Sequence, residues 1–125
     1  DAVLERVPDL DYIFCLGWMH ILSSKFIDKF APNTIVNLHP APPGRFPGRD
    51  AIQTAFDYYK ENPSQNMWTG VMFHYVTPVV DVGKVISKII VPVYETDTID
   101  TLRYRIVNVE KEVLVNGILK LCGFN

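Results

Sequence analysis

Asn37 and His39 stand two residues apart, behind the apolar pair Ile35-Val36 and just before Pro40. In a strand, residues i and i+2 point to the same side. An amide donor and an imidazole would then face one pocket. Further along, Asp81 sits between the apolar run Val79-Val80 and Gly83. That placement suits a carboxylate partner for the imidazole. A neutral donor, a titratable ring and a carboxylate are the minimum set for a reaction passing through an oxyanion. A free histidine titrates near pH ~6.5, and a nearby carboxylate favours its charged form. Each residue also has a plainer reading: Asn37 and Asp81 suit turns, and a lone histidine is commonly structural. It is the spaced set that favours chemistry. The three histidines match no zinc-site spacing, so no metal is expected.

The elements around this set can be read from periodicity. Tyr12 to Leu16 is a continuous apolar run stopped by Gly17, the pattern of a strand buried on both faces. Ser23 or Ser24 can cap a short helix reaching about Phe30. Thr34 to Asn37 reads as a second strand. Pro40 to Asp50 holds four prolines and two glycines, so it is an irregular loop over the site. Ala51 to about Lys60 is helical, with Ile52, Ala55, Phe56 and Tyr59 on one side. Gly70 to Val76 and Val85 to Val93 read as strands, close enough in sequence to be antiparallel neighbours. Asp97-Thr98 opens an amphipathic helix through Ile99, Leu102, Ile106, Val109 and Val113.

The sum is an α/β fold, Rossmann-like, with a mixed, mostly parallel sheet and flanking helices. The 125 residues make one domain at most. A hydrophobic share of 48%, a charged share of 21% and a net charge of -2 are ordinary for a globular chain and predict no polyanionic partner. No basic run interleaved with aromatics suggests nucleic acid, and no apolar run suggests a membrane span. Cys15 and Cys122 both have apolar neighbours, which suits buried thiols in the cytoplasm. One tension stands out. Tyr12 to Leu16 is strongly apolar, yet little precedes it. As a bare sheet edge it would be an aggregation liability. A missing N-terminal half, or another chain, is expected to pair with Tyr12–Leu16.

Asn37-Leu38-His39-Pro40, the loop closing at Phe46-Pro47-Gly48, Gly70 to Val76, and Val80-Asp81-Val82-Gly83 together resemble the formyltransferase family. The likeness is greatest to its purine-synthesis branch, which formylates the amine of glycinamide ribonucleotide using 10-formyltetrahydrofolate. The loop variant Pro40 to Gly44 and the insertion before Gly70 look more fungal than bacterial. The resemblance covers nearly the whole chain, but only the C-terminal half of the family's domain. It implies one formyltransferase-type catalytic region over residues 1–125. The family's N-terminal glycine-rich phosphate loop has no counterpart here.

Residue by residue, the resemblance implies that Asn37, His39 and Asp81 are catalytic. Met19, His20, Ile21 and Leu22, with Thr77, Pro78, Val79 and Val80, match contacts to the folate. Val107, Asn108, Val109 and Glu110 match the amine-substrate side, with Glu110 meeting the amine. Glu110, Lys111 and Glu112 also read simply as a solvated helix face. The same trio serves formyltetrahydrofolate deformylase, in which water replaces the amine; the Pro40 to Gly48 loop argues against it. A non-enzymatic folate-binding or assembly fragment is the rival from another class.

Overall fold

The computed structural model describes residues 12–15, 24–27, 29–30, 34–77 and 83–123. Along them run β1 (Ile13–Cys15), α1 (Ser24–Ile27), β2 (Ile35–His39), α2 (Ala51–Glu61), β3 (Trp68–Tyr75), β4 (Val85–Pro92) and α3 (Ile99–Leu121). The strands form one mixed sheet in the order β1-β2-β3-β4.

The α/β class and the flanking helices agree with the sequence reading, but the parallel majority does not. Among the described strands only β1 and β2 are parallel; β2–β3 and β3–β4 are antiparallel. The reason lies in the connections. After β2 the chain re-enters the sheet at the end it left, so that His39 pairs with Met72 and Val36 with Tyr75. A short link then joins β3 to β4, and a short link can only reverse direction.

β2 extends two residues past its expected end, which puts His39 inside the strand rather than in the loop. β1 is not covered on both faces: Cys15 is buried, but Phe14 is 43% exposed. Leu16 lies outside the described residues. Cys122 is exposed, contrary to expectation, because it follows the last turn of α3. Burial of Cys15 pushes its thiol up, away from the reactive thiolate.

β3 is central, and Thr69 to His74 are all buried. Its alternation creates two faces. Val71 and Phe73 join Val36 and Val91 in the main core, against Ala51 and Ala55 of α2 and Leu102, Ile106 and Val113 of α3. Gly117 lets α3 seat directly on Phe73, since any Cβ there would strike the Phe73 ring. The opposite face carries Cys15, Ile35, Asn37, His39, Met72 and His74, by strand alternation and register.

One ion pair fixes how β4 hands over to α3. Arg105 donates two parallel hydrogen bonds to Asp97, at 2.7 and 2.9 Å, and a third to the Pro92 carbonyl at 2.8 Å. Asp97 also accepts from the Tyr94 backbone N–H and from the Thr101 hydroxyl. Thr98 caps α3 in a reciprocal box with Thr101. The Arg105 guanidinium rests 4.5 Å from the Tyr94 ring centroid. These donors, Arg105 foremost, hold the Asp97 carboxyl at about 2, below its ordinary 3.8.

Two outcomes follow for stability. Asp97 binds its proton more weakly folded than unfolded. Its contribution of about 2 kcal/mol is therefore complete above pH 4 or so and drains away as the pH falls towards about 2. Arg105→Ala should lower the unfolding free energy at pH 7 by about 2 kcal/mol and flatten that acid limb, as read by urea titration between pH 2 and 7. Gly117→Val should cost about 1–3 kcal/mol by overpacking against Phe73, visible as a lower thermal midpoint.

Candidate active site

β2 carries Ile35, Asn37 and His39 on one face and Val36 and Leu38 on the other. The apolar pair anchors the strand in the core, so the polar pair must face the opposite layer. Asn37 is half-buried and His39 is 5% exposed. The register sets His74 of β3 directly across from Asn37. The His39 and His74 rings meet edge to face at 6.4 Å. Asn37, His39 and His74 thus form one polar cluster in an otherwise apolar layer with Cys15, Ile35 and Met72.

The His39 ring is held from the loop. Its Nε2 lies 3.3 Å from the Phe46 carbonyl oxygen. A carbonyl only accepts, so Nε2 carries hydrogen in the neutral and the charged ring alike. Nδ1 is then the nitrogen that gains and loses the proton. His74 is fixed similarly, with Nδ1 donating to the Tyr75 carbonyl at 2.9 Å. His74 is 2% exposed.

Asp81 and the folate-side residues Met19, His20, Ile21, Leu22, Pro78, Val79 and Val80 lie outside the described residues. Thr77 is half-buried immediately after β3. Gly83 packs tightly against the end of β3. A Cβ at Gly83 would strike the Tyr75 carbonyl and lie 3.5 Å from His74 Nδ1. Only glycine permits so close an approach. The Tyr75 N–H donates to Lys84 at 3.0 Å and closes the ladder there. Gly83 therefore lies against the sheet beside the histidine that faces Asn37.

Val107 to Glu110 occupy the middle of α3. Val107 and Asn108 are exposed, while Val109 and Glu110 are half-buried. α3 covers the Phe73 face, so these residues sit on the element opposite the Asn37–His39 layer and are not brought onto it by the register. Desolvation pushes the Glu110 carboxyl up from its ordinary value.

Sequence reasoning missed two features. The Phe46 carbonyl as a partner for His39 is a backbone group, and no residue type announces it. The pairing of Asn37 with His74 depends on register; alternation in both strands hinted at a shared face but not at which residues oppose.

The family model described as formyl transferase matches residues 4–118. A phosphoribosylglycinamide formyltransferase of Dictyostelium discoideum is 38% identical over 93% of this chain and 57% of its own length. The protein of the same name from Schizosaccharomyces pombe is 38% identical over 100% of this chain and 59% of its own. Among solved structures, glycinamide ribonucleotide transformylase 1 from Geobacillus kaustophilus superposes with a TM-score of 0.83 at 30% identity, over 96% of this chain and 61% of that one. The chain thus spans less than two thirds of the length of the relatives it matches. On the match of fold and sequence over residues 4–118, this chain belongs to the formyl transferase family.

Proposed function

We propose that this chain is the catalytic part of an enzyme that moves the formyl group of 10-formyltetrahydrofolate to the primary amine of glycinamide ribonucleotide, in purine synthesis. The observation that carries the proposal is that Asn37 and a buried, carbonyl-held His39 lie on one face of the same strand. The names of the relatives support the substrate choice.

In this reading the amine attacks the formyl carbon and forms a new C–N bond. The carbonyl oxygen becomes an oxyanion and takes hydrogen bonds from the Asn37 amide and from protonated His39. Asp81 favours the charged ring and relays the amine's proton, through water, to the folate nitrogen as the old C–N bond breaks. Met19 to Leu22 and Thr77 to Val80 hold the folate. The family resemblance assigns Val107 to Glu110 to the ribonucleotide side, with Glu110 orienting the amine, which requires the substrate to reach past the end of the sheet from the Asn37–His39 layer to α3. Glu110 suits that role. It is desolvated, yet no hydrogen bond or ion pair to it is found among the described residues. A carboxylate kept at a cost to folding commonly marks a functional site.

β1 lies at the margin of the described sheet, with Phe14 stacked on Phe73 but half-exposed. That arrangement, and the greater length of the relatives, support an N-terminal segment or another chain pairing along Tyr12–Leu16 and bringing the phosphate-binding loop. Small-molecule substrates, no metal and a cytosolic location complete the proposal. No helix among the described residues is long and apolar enough to cross a membrane.

Asn37→Ala and Asp81→Ala, made in the complete domain, should each lower turnover about a hundredfold or more, equivalent to about 3 kcal/mol of lost oxyanion stabilisation. Near wild-type turnover in either variant removes the assignment. Incubation with formylfolate and no amine separates transfer from hydrolysis: rapid formate release would favour the deformylase reading. Glu110→Gln should raise the thermal midpoint at pH 7, because a neutral amide escapes the desolvation cost. The same variant should raise the KM for the amine, measured by steady-state kinetics.

A further inference from the structure

Phe46 adopts φ 47, the left-handed region that a bulky L residue rarely occupies. Such a conformation persists where its surroundings over-determine it. Here the surroundings are unusually aromatic. The Phe46 ring is 9% exposed and meets Tyr58 and Tyr59 edge to face, at 5.9 and 6.2 Å. The neighbouring guanidinium of Arg45 lies 4.8 Å from the Phe46 ring centroid, 4.6 Å from Trp68 and 5.9 Å from Tyr59. The Tyr59 hydroxyl donates to the Trp68 carbonyl at 2.8 Å and ties α2 to the start of β3. Arg45 is thus enclosed by rings from the loop, from α2 and from β3. Its backbone N–H also donates to Pro42 at 3.2 Å, closing a turn inside the loop.

The Phe46 carbonyl is the group that faces His39 Nε2. An unusual φ at residue 46 sets where that residue's backbone points. We infer that Arg45, held among the rings of Phe46, Tyr59 and Trp68, is a positioning residue that fixes the Phe46 carbonyl and through it the orientation and tautomer of the His39 ring. The inference rests on the reading of His39 as catalytic for its effect on rate, but not for its effect on the ring. Arginine suits the task better than lysine, because its planar, weakly hydrated cation stacks on aromatic faces. A cation enclosed this way is occupied by the fold rather than offered to a phosphate.

The test uses Arg45→Ala, Arg45→Lys and Trp68→Phe in the complete domain. Nitrogen-15 NMR of labelled histidine, recorded at a pH high enough to leave the ring neutral, should show His39 as the Nε2–H tautomer in the parent protein. It should show a mixture with Nδ1–H in Arg45→Ala. Turnover of that variant should fall about tenfold or more, with the KM for formylfolate changed less than twofold. Arg45→Lys should retain turnover in part, and Trp68→Phe, which keeps a ring beside the guanidinium, should retain most of it. If Arg45→Ala does not fold, the two milder variants carry the test through the same tautomer signal. An unchanged His39 tautomer with parental turnover overturns the inference. So does a raised KM with unchanged turnover, which would make Arg45 a substrate contact. Should His39→Ala itself stay active, the catalytic reading fails, while the tautomer measurement still decides the role of Arg45.

Discussion

The antiparallel register between β2 and β3 is the constraint on which the rest of this molecule depends. Leu38 pairs with Phe73, and Asn37 pairs with His74. Strand side chains alternate, so a slip of one residue would exchange every inward group for an outward one. It would drive Asn37 and His39 into the core against α3 and push Val36 and Leu38 out. The register is secured from the apolar side. Val36, Val71 and Phe73 have no accessible surface, and α3 presses onto Phe73 where Gly117 leaves room. Burial of such side chains is worth about 1.5–3 kcal/mol each. The polar face is therefore held in place by the packing of the other face.

The loop after β2 links that register to chemistry. It leaves the strand at His39 and returns within seven residues, so that the Phe46 carbonyl faces the ring it has just passed. Proline-rich chain gives up little entropy on ordering, and the aromatic enclosure of Arg45 anchors the loop to α2 and β3. A buried histidine needs a partner for each polar atom. A backbone acceptor supplied by a clamped loop gives one without adding a second charge.

At the same end of the sheet, Asp97 and Arg105 join the exit of β4 to the start of α3. The pair uses the planar fork of arginine on a nearly buried carboxylate, and the capping threonines lie in the same hydrogen-bonded cluster. It sets the axis of α3 and hence the direction in which Val107 to Glu110 are presented. Two local anchors thus tie the loop and the last helix to the sheet, one aromatic and cationic at the loop, one ionic at the helix start.

Much of this was legible from the chain alone. The helix over α2 announced itself through Ile52, Ala55 and Tyr59, and α3 through Leu102, Ile106 and Val113, because helical periodicity is a local property. Asn37 and His39 were legible as a pair because the strand period is two. The motif set pointed to the family that the comparison then established. Other features were not legible. The balance of parallel and antiparallel pairing depends on where the chain re-enters the sheet, which no local pattern encodes. His74 found its place opposite Asn37, and Phe46 its unusual φ, only when distant segments packed together. Residue types and spacings thus determined which groups were available for chemistry. Tertiary structure alone decided which of them meet, because contact between segments far apart in sequence is fixed by register and packing rather than by any short run of residues.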